Sequence, residues 1–194
     1  GAGAAGISTG IAVLFGAVSG CAPAWADVLL MRFAEILLSV PSLLVIIFIQ
    51  AVLGEATAWS ISFAIGITSW MSMAKMIRTE VRQICSSEYV LASKCMGGSF
   101  FHILWKHLAP NFMPSVRFYA VMNIRSAIAV EAALSFMGLG LPIEVVSWGS
   151  MLSLSEQALF CGAWWMILIP GAFLIVTFVC ITDLCEKSLT SKSY

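Results

Sequence analysis

Residues 88–111 read EYVLASKCMGGSFFHILWKHLAPN, the longest polar interruption in a chain that otherwise reads as membrane spans. The stretch carries Glu88, Lys94, Lys106 and two histidines, His102 and His107, together with a small-residue patch, a Gly-Gly pair and a closing Pro-Asn. A long, basic, structured loop between spans presents something to a soluble partner. The rest of the sequence narrows down which partner.

Composition fixes the solvent. Sixty per cent of the 194 residues are hydrophobic and 10% are charged, with a mean hydropathy of +0.98. A domain of this size cannot bury so much apolar surface away from water, so lipid must cover part of it. Ten basic residues balance ten acidic ones, which argues against nucleic-acid binding. These features predict an all-α integral membrane protein. Five apolar segments, at about 2–22, 34–53, 58–74, 112–137 and 162–182, approach the ~20 residues needed to cross a bilayer core. The fourth is the most polar, with Asn123, Arg125 and Glu131 inside it.

The basic residues set the orientation. Arg32 follows the first segment; Lys75, Arg78, Arg82, Lys94, Lys106 and Arg117 lie in or beside the connection after the third; Lys187 and Lys192 lie in the tail. The other two connections, about 54–57 and 138–161, hold Glu55, Glu144 and Glu156 and no Lys or Arg. Alternate connections are therefore cytoplasmic, with the N-terminus outside and the C-terminus inside. The chain opens on Gly inside a span, with no charged region and cleavage site of a signal peptide. An upstream first span is expected to be missing.

Within the long loop, nothing from Ser86 to Met96 breaks a helix, and Ser86 or Ser87 can cap one. Ala92, Ser93, Gly97 and Gly98 let a second body approach the backbone, and the glycine pair permits a sharp turn. Phe101, Leu104, Trp105 and Leu108 recur at helical spacing; Pro110 ends that stretch and Asn111 can cap the following span. Two short helices at a glycine elbow make a docking element or an amphipathic interfacial segment. The six cysteines show no Cys-x-x-Cys and no zinc spacing. They read as small apolar packers, without a disulfide or a metal site.

The order of these residues resembles the EAA loop of ATP-binding-cassette importer permeases: Glu-Ala-Ala, three residues, Gly, nine residues, Ile-x-Leu-Pro. Ala92, Gly97 and Pro110 match it, while Leu91, Ser93, His107 and Ala109 depart from it. Met31-Arg32, Ser39-Val40-Pro41-Ser42-Leu43-Leu44, Glu88-Tyr89-Val90 and Pro110-Asn111 look like the dipeptide/oligopeptide/nickel group of these permeases. So do Glu131-Ala132-Ala133-Leu134-Ser135-Phe136-Met137-Gly138-Leu139-Gly140, Ser147-Trp148-Gly149-Ser150-Met151-Leu152, Ala163-Trp164-Trp165 and Pro170-Gly171. The resemblance runs from Gly16 onward and is to the second, C-type subunit.

It implies a single domain over 1–194, the five-span core of a type I importer transmembrane domain. A cytoplasmic coupling loop would run over about 79–111 and an external Gly-rich loop over about 138–161. Glu88, Leu91, Ala92, Ser93, Gly97, Gly98, His107 and Pro110 would dock an ATPase. The implied partners are a second permease in a heterodimer, two ATP-binding-cassette ATPases that hold ATP and Mg, and an external solute-binding protein. The membrane would be the cytoplasmic membrane of a prokaryote, and the cargo peptides, nickel or metal chelates. Peptide is preferred, since no His or Cys set in the spans would hold a bare metal ion. This chain has no phosphate-binding Gly-x-x-x-x-Gly-Lys-Ser/Thr loop, so no cofactor and no catalytic residue are expected in it.

Pro41 and Pro170-Gly171 sit inside apolar segments, where the lost hydrogen bond kinks a helix or leaves a hinge. Gly138 to Pro142 is a turn-forming string, and Trp148 fits an outer interface. Both fit a gate or an ordinary interfacial loop. Charges in a span are costly unless paired or wetted. Arg125 and Glu131, six apart, lie about 240° around a helix axis and should not pair with each other. Glu131 suits a structural or gating role. Arg125 would meet either an anionic group of the substrate or a carboxylate of the partner subunit. The competing class is a stand-alone ion-coupled transporter, against which stand the lack of an internal repeat and of paired intramembrane acids. An intramembrane enzyme would need a catalytic constellation in the spans, and both histidines lie in the loop.

Overall fold

The computed structural model describes residues 1–54, 57–88, 90, 109–142, 145–160 and 162–190. Every regular element among them is a helix: α1 (Ala2–Cys21), α2 (Ala24–Leu38), α3 (Ser42–Leu53), α4 (Ala58–Cys85), α5 (Ala109–Phe136), α6 (Trp148–Phe160) and α7 (Trp165–Thr190). α1 lies along α4, and α5 packs across both. α3 joins α4 on another side, while α6 sits between α5 and α7.

Small residues set the α1–α4 contact. A side chain on Gly16 would start 2.7 Å from the Ala74 carbonyl oxygen, and one on Gly20 would start 2.8 Å from Val81 Cγ1. In the opposite direction, Gly66 of α4 lies under Ile7, where a Cβ would stand 2.8 Å from the Ile7 Cβ. Lipid provides no hydrophobic drive between helices, so close backbone approach and dispersion hold such a pair. Ala12, Ala74, Ile77 and Val81 fill the resulting seam and are fully buried. Asn123 pins α5 to it: its Nδ2 donates to Ser8 Oγ of α1 and to Met73 Sδ of α4, each at 3.2 Å.

Among the described residues, two helices are long and apolar enough to cross a membrane, α1 and α7 over Trp165–Lys187, and the α2–α3 pair qualifies only as one broken span. α4 and α5 have 28 residues each, about 42 Å at 1.5 Å per residue, which exceeds a bilayer core. Polar residues keep them outside that group: the serines and threonines of α4, and Asn123, Arg125 and Glu131 of α5. Exposed Phe173, Ile175, Val176 and Val179 of α7 are the surface expected against lipid or another membrane helix.

Several expectations change. The second apolar segment is two helices, with Pro41 at the N-cap of α3 and the axes bent by 77°. Proline cannot donate to the preceding turn and disfavours helix at the residue before it. Pro170 and Gly171 lie inside the single helix α7. Of the two serines offered as a cap, Ser86 closes α4, its N–H donating to Arg82 O at 3.1 Å, and Ser87 precedes helical Glu88, with the Val90 N–H donating to Ser87 O at 3.2 Å. Pro110 and Asn111 fall in the first turn of α5, where a missing N–H costs no bond. The connection 138–161 contains α6.

Candidate functional site

α4 outlasts its apolar half and carries Lys75, Arg78 and Arg82 toward the 88–110 segment. Their positions on one side of a helix follow from the spacing of three and four. Opposite them stands Asp27, in the first turn of α2 and fully buried. Its carboxylate accepts from Arg78 Nε and Nη2, from Arg82 Nη1, and from Ser19 Oγ at 2.7 Å. Three helices thus meet on one carboxylate. Asp27 lies in the connection ahead of the apolar run 34–53. The Arg78 hydrogen bond holds its carboxyl well below the usual carboxylate range, against burial and helped by Ser19 and both guanidinium charges. A second link runs beside it: Glu35 bonds Arg32 at 3.1 Å and Lys75 at 3.5 Å. This pair is exposed and contributes little.

The cluster ties the end of α4 to α2 immediately before Glu88, which is exposed. Leu91, Ala92, Ser93, Gly97, Gly98 and His107 lie outside the described residues, and Pro110 is placed only by its backbone, in α5. The sequence reading missed Asp27 and Ser19. An acidic residue opposed to the basic ones of the same face was the signal available.

At the other end of α5, the Leu-Ser-Phe-x-Gly-Leu-Gly run is a helix stop. Gly138 takes φ of +75°; its N–H donates to Ser135 O at 3.0 Å and that of Leu139 to Leu134 O at 2.9 Å. That pair of bonds turns the chain back over the helix and needs a glycine at the left-handed position. Ser135 then serves both sides, donating to Glu131 Oε1 at 2.8 Å and accepting from the Leu141 N–H at 3.2 Å. Gly140 lies directly on Ser135, leaving no room for a Cβ. Gly149 of α6 lies on Ala132, whose Cα would be 2.7 Å from a Cβ there. Trp148, just before it, stacks on Phe173 of α7 with ring centres 6.0 Å apart. Glu131, Gly138, Gly140 and Trp148 are therefore one assembly that fastens the α5–α6 connection to α5 and α7.

Arg125 is not part of it. The side chain is exposed on α5, and among the described residues no carboxylate pairs with it. Pro41 lines a pocket of about 610 Å³ between the α2–α3 bend and α4, with Phe33, Val45 and Trp70. Gly171 lines an apolar groove between α5, α6 and α7, floored by Ala129, Ala132 and Ala133. No group of three or more His, Cys, Asp or Glu side chains among the described residues could hold a metal.

The Oligopeptide transport system permease protein OppC of Bacillus subtilis is 38% identical over 86% of this chain and 54% of its own length. The Dipeptide transport system permease protein DppC of the same organism is 36% identical over 86% of this chain and 52% of its own. The OppC of Salmonella typhimurium is 34% identical over 79% of this chain and 50% of its own. The chain spans about half the length of these curated relatives. A family model described as "Binding-protein-dependent transport system inner membrane component" matches residues 12–191. The chain belongs to the family of binding-protein-dependent transport system inner membrane components.

Proposed function

We propose that this chain is the permease half of an ATP-driven importer of peptides. It crosses the membrane five times: α1, residues 34–53 through the α2–α3 bend, α4, α5 and α7, with the C-terminus in the cytoplasm. A second permease completes the pathway, a solute-binding protein delivers cargo outside, and two ATPases hold ATP and Mg on the cytoplasmic side. The relatives reported above are named for oligopeptides and dipeptides, which supports peptide over nickel or a metal chelate.

The observation that carries the reading is the Asp27 cluster at the root of the 88–110 segment. A segment that only lay on the lipid surface would not need α4 fixed to α2 by a buried charge. A segment that takes up force from a closing ATPase dimer does. Seated in a cleft of the ATPase through Ala92, Ser93, Gly97 and Gly98, it moves the end of α4. The carboxylate of Asp27 carries that motion into α2 and so to the bend at Pro41. At the other face, the Glu131–Ser135–Leu141 link and Gly149 hold the α5–α6 connection where the pathway opens.

The test is purification of the tagged full-length subunit from its native membrane, wild type and Gly97→Trp. Co-purifying permease and ATPase, with transport lost in the variant while the complex stays intact, supports coupling through this segment. A subunit that purifies alone and moves its substrate with an ion gradient, indifferent to Gly97→Trp, establishes the stand-alone transporter instead.

A further inference from the structure

Two thiols meet where α4 gives way to the 88–110 segment. Cys21 ends α1 and Cys85 ends α4, and their Sγ atoms are 3.7 Å apart across 64 residues of sequence. The packing beside them brings the two backbones together. A Cβ on Gly20 would stand 2.8 Å from Val81 Cγ1 and 3.1 Å from Arg78 O, so α1 and α4 touch one residue before Cys21 and one turn before Cys85. Both thiols are half-buried at the edge of the cluster formed by Ile77, Val81 and Val90. The chain turns back onto that cluster directly after Cys85: Val90 is fully buried and its N–H donates to Ser87 O at 3.2 Å.

We infer that Cys21 and Cys85 form a reversible disulfide that ties the root of the docking segment to the end of α1. A small-molecule disulfide is the oxidant. One thiolate attacks a sulfur of that disulfide and releases a small thiolate, leaving a mixed disulfide on the protein. The second thiolate attacks the protein sulfur of that intermediate and releases the other small thiolate. One protein S–S bond forms, one small-molecule S–S bond breaks, and the two protein thiols lose their protons to the released thiolates. Closing the sulfurs from 3.7 Å to about 2.05 Å needs side-chain rotation and a small approach at the helix ends. A cytoplasmic location keeps the pair reduced under ordinary conditions. The consequence for transport rests on the permease reading. With the thiols reduced, the end of α4 moves with the segment; with the bond formed, it is held to α1.

The experiment uses the full-length subunit with its partners in lipid nanodiscs, treated with oxidised glutathione, followed by alkylation and non-reducing peptide mapping. The expected result is a linked Cys21–Cys85 peptide that disappears on reduction. Transport should be lost in the oxidised complex and recovered with reductant, and Cys85→Ser should transport like untreated wild type both before and after oxidant. Both thiols remaining separately alkylatable, or each carrying its own glutathione, would overturn the pair. A linked peptide with unchanged transport would overturn the switch. A linked peptide after oxidation, in a complex that does not transport even when reduced, supports the thiol pair and counts against the permease reading alone.

Discussion

Replacing Asp27 with Ala removes the one carboxylate on which α1, α2 and α4 converge. Its side chain is 2% exposed, Arg78 is 25% exposed and Arg82 is 51% exposed. Breaking a buried ion pair by deleting one partner costs about 3–5 kcal/mol, because the other charge stays desolvated. Arg78, a quarter exposed, belongs at the low end of that range. Arg82 reaches water on its own, so its share is under about 1 kcal/mol. The net expectation is about 3 kcal/mol, or a fall of about 6–12 °C in the thermal midpoint for a chain of this length. Tryptophan emission of the purified subunit during heating in detergent reads that shift. Arg78→Ala should come close to it, and Arg82→Ala should cost only about a third as much. Acid probes the same group. A carboxyl held low in the fold stabilises fully above its unfolded value of about 4, and that contribution is lost as pH falls below it toward the folded value. The difference between wild type and Asp27→Asn should therefore stay flat from about pH 5 to 8 and shrink only in stronger acid. An Asp27→Ala shift below about 2 °C, or Arg82→Ala costing more than Arg78→Ala, would refute the reasoning.

Gly20→Leu should lower the midpoint by the several degrees that about 1–3 kcal/mol of overpacking implies. Gly6→Ala, where a Cβ meets nothing within 4 Å, should be neutral or stabilising by up to about 1 kcal/mol; the same melts compare them. Ser135→Ala strips the acceptor from the Leu141 N–H and the donor from Glu131. A cost of about 1–3 kcal/mol should follow, with faster amide exchange at Leu141 by mass spectrometry. Arg125→Ala should either raise the KM for peptides with a free C-terminal carboxylate over amidated ones or weaken recovery of the second permease; unchanged values of both would remove Arg125 from pathway and interface alike.

The helical membrane character was legible because composition and segment length report on solvent directly. The loop order from Ala92 to Pro110 and the Leu134–Gly140 run pointed to the family that residues 12–191 match. The Gly138 turn was legible too, since only a few residue types suit a left-handed helix stop. Asp27 was not. Its partners lie 51 and 55 residues away, and a single acid in a short connection has no period to betray it. Cys21 and Cys85 were hidden for the same reason, because their contact is made by how closely Gly20 lets two helices approach. Proline was read unevenly. Pro41 separates two helices whereas Pro170 is absorbed within α7, and the local sequence signal is the same for both.

The central claim is that force from ATP reaches the spans through the 88–110 segment and the Asp27 cluster. Its most direct measurement is uptake of a labelled oligopeptide into proteoliposomes that carry the full complex, with ATP enclosed on the ATPase side and binding protein on the other. Uptake should require ATP, and Asp27→Asn should lower it while ATP hydrolysis continues, so that fewer peptides move per ATP. Uptake without ATP, or the same ratio of peptide to ATP in wild type and Asp27→Asn, would contradict the account.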